Sequence, residues 1–358
     1  MNAEARRLPT HLEALRLELP EAAQRQLRLR LGRALATGEA LEVGLAYGVD
    51  PDELGEMVEY WRNDFELERQ GLAELRCFCL SSADDDELCF THARSPEAWA
   101  MPLLLLHGYS GQLLEFRAVV PALAGPRTHG ADANVAFHVV CPALPGFGWS
   151  APAPDLCAMA ERCADLMKQL GYSRYAVHGS DLGACVALEL AALDAEHVAG
   201  VHVTSVPAYP DEDPFELSAL TGAEKAQLSE LTWLHERLAF QLPESPVEAL
   251  AFAVSGLADD SSGWLEPLLT QLTLTWAFGT PHVGNDVQRR QRLAAARPST
   301  APTAVHTFPC DAPSLRRFAE RSHRVVEWHE HEHGGAMPAL EQPELLLRSL
   351  REFFARLR

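Results

Sequence analysis

The 358-residue chain contains no apolar run long enough for a signal peptide or a membrane span, and Met1 to Pro20 mixes Arg, Glu and Leu at helical spacing. A cytosolic protein is therefore expected. Positive charge is scarce: 30 Lys and Arg stand against 50 Asp and Glu, giving a net charge of -20 and a pI near 5.1. Such a field repels nucleic acid and anionic lipid, so neither is expected as a partner. No CxxC pair and no Cys/His ligand spacing occurs. The eight cysteines, among them Cys77 and Cys79 on alternate positions of a strand and Cys141 in an apolar segment, read as scattered core thiols rather than disulfides or a zinc site. Repeats and low-complexity segments are absent, which leaves a globular protein large enough to enclose a pocket.

What is present is an ordered series of patterns. From Pro9 to about Arg69, Leu and Val recur every three or four residues, and Asp50-Pro51-Asp52-Glu53 makes a helix start. Short apolar or alternating runs follow at 75–80, 87–92, 102–107, 136–141, 174–178 and 200–206, with amphipathic stretches at 156–170 and 182–193. Two opening strands followed by strand-helix alternation predict a mostly parallel sheet with helices on both faces. Residues 209–298 are Leu-rich and helical, strand signals return at 304–309 and 324–329, and a helix closes the chain over 342–357. The expected organisation is an N-terminal helical arm with first strands (1–98), a sheet domain in two parts (99–208 and 299–358), and a helical cap inserted between them (209–298).

The segment with the clearest chemistry is Gly179-Ser180-Asp181-Leu182-Gly183, between the strand Tyr175-Ala176-Val177 and a helix. A sharp strand-to-helix turn that presents a nucleophile needs small residues two positions either side of it. That frame selects Asp181, because around Ser180 the flanking positions would be His178 and Leu182. The competing reading is a glycine-rich turn capped by an aspartate. Upstream, Leu103 to Leu106 runs into His107-Gly108-Tyr109, a loop whose backbone amides, with that of Leu182, can bind an oxyanion or substrate. Pro142-Ala143-Leu144-Pro145-Gly146-Phe147-Gly148 follows another strand, as a loop at the carboxyl edge of such a sheet does.

These segments, together with Glu59-Tyr60-Trp61-Arg62-Asn63-Asp64-Phe65, Arg94-Ser95-Pro96, Gly279-Thr280 and Leu340-Glu341-Gln342-Pro343-Glu344, resemble the epoxide hydrolases with an N-terminal helical arm, the microsomal and juvenile-hormone type. The resemblance implies an α/β-hydrolase fold with an eight-stranded, mostly parallel sheet, no cofactor and no metal. It also implies a small apolar substrate; a homodimer is left open. In that family an elbow aspartate attacks an epoxide carbon, two cap tyrosines donate to the departing oxygen, and a histidine backed by a carboxylate activates water to cleave the ester.

Transferred position by position, the resemblance makes Asp181 the nucleophile and puts Asp311, in Phe308-Pro309-Cys310-Asp311, where the family keeps its supporting acid. A solvated loop carboxylate is the alternative for Asp311. The family's Gly-Gly-His becomes His333-Gly334-Gly335-Ala336, so Ala336 occupies the base position. His333, with His329 and His331, and His178, three residues before the nucleophile, are candidate substitutes; a solvated surface and a buried strand residue are their respective alternatives. The six tyrosines end at Tyr209, so the cap carries no phenol pair, and the second tyrosine position falls near Gln288 and Arg289. Tyr109 is the nearest remaining phenol, although aromatic packing also accounts for it, and Ser110 replaces a family proline. Loss of one member of a coupled catalytic unit costs roughly 10³ to 10⁶ in rate. Three functions stay open: an epoxide hydrolase, a non-hydrolytic cyclase or isomerase that uses Asp181 as acid or base in natural-product tailoring, and a ligand-binding pseudoenzyme.

Overall fold

The computed structural model describes residues 12–15, 19–72, 75–81, 87–109, 111, 113–210, 214–240, 244–257, 263–277 and 297–358. The first described element is a strand, β1 (Leu12–Leu15), and not the start of the expected helical run. Leu12 to Leu15 suits either state locally; pairing with residues 77–80 decides the outcome. Helices α1 (Glu21–Thr37), α2 (Glu39–Tyr47) and α3 (Pro51–Asn63) follow as their periodicity predicts. Asp50 caps α3 by accepting from the backbone N–H groups of Asp52 and Glu53.

Strands β2 (Cys77–Ser81) and β3 (Glu87–Ala93) form a hairpin, and β4 (Met101–Leu106) precedes the short helix α4 (Val120–Ala124). Strand and helix then alternate through β5 (Phe137–Pro142), α5 (Leu156–Gln169), β6 (Tyr175–Gly179), α6 (Leu182–Leu193) and β7 (Val198–Val203). Helices α7 (Pro214–Ser218), α8 (Gly222–Phe240), α9 (Pro246–Ser255) and α10 (Leu265–Ala277) lie between β7 and β8 (Ser299–Thr307). The chain ends with α11 (Arg316–Ser322), β9 (His323–Glu330), α12 (Pro338–Glu341) and α13 (Pro343–Ala355). No helix among the described residues is long and apolar enough to cross a membrane.

The sheet has nine strands rather than eight, in the order β1-β2-β3-β5-β4-β6-β7-β8-β9, and β1 is the addition. From β5 to β9 all pairings are parallel; β1, β2 and β3 run antiparallel. Both faces are covered, which explains why β4 reads as an unbroken Leu run. Leu104 and Leu106 pack on the face of α5 and α6, whereas Leu103 and Leu105 pack with Phe116, Leu350 and Phe353 on the face of α4 and α13.

The helical arm packs on the inserted helices: α1 on α10 and α2 on α9. Trp61 Nε1 donates to Thr273 Oγ1 at 2.8 Å in a buried contact, and Tyr60 donates to Glu266 at 2.6 Å. The shared apolar cluster extends to Leu113, Leu114 and Ala143 on loops at the carboxyl edge of the sheet.

The expectation of scattered thiols fails at one pair. Cys79 and Cys89 form a disulfide, since hairpin register sets them directly opposite with Cα atoms 4.0 Å apart. Cys77 and Cys141 are free and buried, as expected.

Two glycines give opposite predictions. A Cβ at Gly183 would lie 2.0 Å from the Leu106 carbonyl oxygen, whereas one at Gly55, inside α3, meets nothing within 4 Å. Gly183→Ala is expected to lower stability by at least about 1–3 kcal/mol through overpacking. Gly55→Ala is expected to raise it by about 0.5–1 kcal/mol. Urea unfolding midpoints of the two variants check both signs.

Candidate active site

The turn from β6 into α6 has the geometry the Gly-x-Asp-x-Gly spacing predicts. Asp181 sits at φ 47°, ψ -117°, and is the only non-glycine with positive φ among the described residues. That backbone is costly for a side-chain-bearing residue and persists only where surrounding structure enforces it. Enforcement comes from close backbone packing. A Cβ at Gly179 would lie 2.2 Å from the Gly183 carbonyl oxygen, and one at Gly183 would meet the carbonyls of Leu106 and His107 at 2.0 and 2.7 Å. The elbow is thus pressed against the end of β4.

The same approach places the Asp181 carboxylate over the β4 loop. Tyr109 N–H donates to Asp181 Oδ2 at 2.7 Å, and a Cβ at Gly108 would stand 3.1 Å from Asp181 Cβ. Leu182 is buried and opens α6. The Tyr109 ring packs edge-on against Phe147 and against Phe252 of α9, with centroids 6.1 and 6.2 Å away.

His107 has both ring nitrogens engaged. Its Nε2 accepts from Leu144 N–H at 2.9 Å, which fixes the proton on Nδ1, and Nδ1–H donates to the Gly108 carbonyl at 2.7 Å. Burial pushes its pKa down to about 4. The ring therefore ties the two loops together as a neutral imidazole.

Glu115 was not evident from the sequence, where it looks like one more surface acid after Gly111. It is fully buried, accepts from Gly108 N–H at 2.8 Å through Oε2, and has Oε1 2.5 Å from Ser180 Oγ. A Cβ at Gly111 would collide with this carboxyl, so the glycine makes room for it. Burial, with the charges of Asp181 and Asp311 adding to it, raises the Glu115 pKa to about 8. The signal available in the sequence was Gly111 four residues before an acid flanked by Leu113, Leu114 and Phe116.

Asp311 is buried, contrary to the solvated-loop alternative. Its Oδ1 accepts from Ala312 N–H at 2.7 Å, and Oδ2, beside the Thr204 hydroxyl, makes no hydrogen bond among the described residues. Burial, reinforced by the charge of Asp181, raises its pKa to about 7. A backbone bridge between Cys310 and Gly335 sets Asp311 beside Ala336. Ala336 N–H donates to Gly256 O at 2.9 Å, which ties this segment to the end of α9.

The histidine candidates fall elsewhere. His178 is fully buried in β6, with Nδ1 3.1 Å from both Nδ1 and the carbonyl of His202 and its ring edge-on to Phe116, in the layer beneath α13. Burial lowers its pKa to about 4. His333 is exposed, in the turn before Gly334. His331 and His329 cluster with His306 at the end of β8. Tyr209 is half-buried against the core. Ser110, Gly279-Thr280 and Gln288-Arg289 lie outside the described residues.

With this geometry in place, similarity to known proteins is informative. A family model described as epoxide hydrolase N terminus matches residues 12–116, and the α/β-hydrolase fold model matches 101–231. A Stigmatella aurantiaca protein named "Putative epoxide hydrolase" is 29% identical over 377 residues, covering 96% of this chain and 84% of its own. Epoxide hydrolase 1 of Oryctolagus cuniculus is 25% identical, covering 96% of this chain and 88% of its own. The Aspergillus niger epoxide hydrolase structure superposes with a TM-score of 0.76 at 21% identity, covering 98% of this chain and 99% of its own. The juvenile hormone epoxide hydrolase structure of Bombyx mori also gives 0.76, at 19% identity, covering 98% and 96%. The chain has the α/β-hydrolase fold and is similar over nearly its whole length to epoxide hydrolases.

Proposed function

We propose that the chain opens the epoxide ring of a bulky apolar substrate by attack of Asp181. The observation that carries this reading is the Asp181 carboxylate at a strained elbow, held by the N–H of Tyr109, whose ring packs against Phe147 and Phe252. A carboxylate oxygen bonds to the ring carbon, the carbon–oxygen bond of the epoxide breaks, and the released alkoxide takes a proton. Asp311 holds a proton near neutral pH and is electrostatically coupled to Asp181, so it replaces the missing phenols as the proton source. Cleavage of the resulting ester needs an activated water, and Ala336 cannot supply a base. Hydrolysis is therefore slow, and the ester accumulates.

A second reading rests on Asp311. A buried carboxylic acid with one unpartnered oxygen and a pKa near 7 is suited to protonating an epoxide oxygen while an internal group of the substrate attacks the ring. That is cyclisation or isomerisation without water.

Intact-protein mass spectrometry after incubation with bulky and small epoxides separates the readings. Wild type is expected to gain the mass of one epoxide, and Asp181→Asn to gain none, with any diol formation falling roughly 10³-fold or more. Adduct-free cyclised product would favour the second reading. Ligand binding without product or adduct, unchanged in Asp181→Asn, would mean a binding protein. Ala336→His places an imidazole beside Asp311 and is expected to shorten the adduct's lifetime while diol appears.

The buried acids also set a pH dependence. The folded state holds protons on Asp311 up to about 7 and on Glu115 up to about 8, whereas the unfolded chain releases them near the ordinary carboxyl range. Stability supplied by these protons is complete at low pH and is lost as pH rises through that window. In urea melts across this range, Asp311→Asn is expected to flatten the lower part of the decline. An unchanged slope would show that Asp311 ionises normally.

A further inference from the structure

A cluster of ligand-type side chains lies apart from the elbow, at the sheet edge formed by β8 and β9. His306 and His329 are register partners on these strands, and Glu327 and His331 precede and follow His329 by two residues. The period of two places Glu327, His329 and His331 on one face of an edge strand, beside His306. A ring nitrogen of His306, one of His329 and a carboxylate oxygen of Glu327 all lie within 4.8 Å of one another. His306 is only 6% exposed, and its Nε2 is buried without a hydrogen-bond partner among the described residues, while Nδ1 is 3.0 Å from His331 Nε2. The cluster borders an open cavity of about 530 Å³ against α13.

We propose that His306, His329 and Glu327 form a binding site for one divalent transition-metal ion, of the class that takes imidazole and carboxylate ligands, such as zinc, nickel or copper. An orphaned buried imidazole nitrogen otherwise costs folding energy, and coordination would satisfy it. Two imidazoles and one carboxylate leave at least one coordination position facing the cavity. Neutral imidazole is the ligating form. The opposing force is cationic. Arg356 pairs with Glu327, while Arg316 and Arg348 line the same cavity. Arg356 holds Oε1 of Glu327, while Oε2 lies 3.6 Å from His329 Nε2, so the ion takes Oε2 and competes with Arg356 for the charge of one carboxylate.

The test is calorimetric titration of the untagged, chelator-treated full chain with zinc and nickel salts. One equivalent is expected to bind. His329→Ala and Glu327→Gln, both at positions accessible to solvent, are expected to weaken it by at least about tenfold. Arg356→Gln, which removes the competing cation, is expected to tighten it. His197→Ala and Cys310→Ser, exposed donors elsewhere, should leave it unchanged. Cobalt provides a second readout: bands of nitrogen and oxygen ligation support the site, whereas thiolate charge-transfer bands overturn it. Absence of binding, or an equivalent that survives His329→Ala, also overturns it.

Discussion

The site depends on the contact of the Gly183 backbone with the Leu106 and His107 carbonyls. This contact leaves no room for a Cβ, draws the start of α6 onto the end of β4, and gives the intervening Asp181 its positive φ. From there the remaining geometry follows. The Asp181 carboxylate reaches Tyr109 N–H, Ser180 turns to Glu115, Glu115 braces Gly108, and His107 ties the β4 loop to Leu144. Each hydrogen bond fixes a group that another already positions, so the strain at one residue is borne by a connected loop system.

The electrostatics follow from what surrounds that turn. Asp181, Glu115 and Asp311 form a group of interacting carboxyls, and Asp311 Oδ2 makes no hydrogen bond among the described residues. Two buried negative charges beside that of the half-buried Asp181 would repel one another without compensation. Protons retained on Glu115 and Asp311 relieve that repulsion. A histidine at position 336 would offset the charge of Asp311; alanine leaves protonation as the means of doing so.

Much of this was legible because the governing rules are local. The paired glycines around Asp181 encode a steric demand, and the Leu103 to Leu106 run encodes a strand covered on both faces. Four features depended on partners remote in sequence. The segment from Leu12 to Leu15 is a strand because it meets residues 77–80. Cys79 and Cys89 join because hairpin register opposes them. Glu115 is buried because Gly111 leaves room for its carboxyl and Ser180, 65 residues away, meets it. The histidines at 178, 202, 306 and 329 look scattered along the chain, yet parallel strand order brings them into a row of neighbouring rings, with His202 and His306 stacked 4.5 Å apart. Fold class survives ignorance of such pairings; the electrostatic content of a site does not.

The helical arm has a physical connection to this chemistry. Tyr47 of α2 packs edge-on against Phe252 of α9, Phe252 against Tyr109, Tyr109 against Phe147, and Phe147 against His107. Edge-to-face contacts of this kind are directional, so a shift of one ring disturbs the next. The arm also grips the inserted helices through the buried bond from Trp61 to Thr273. Because Tyr109 supplies the N–H that holds Asp181, a displacement of α9 acts on the carboxylate through a single residue. Ala336 N–H, bonded to Gly256 at the end of the same helix, places the position beside Asp311 under the same control. Helix α9 thus touches both halves of the site, and the arm that packs on it stabilises their relative position.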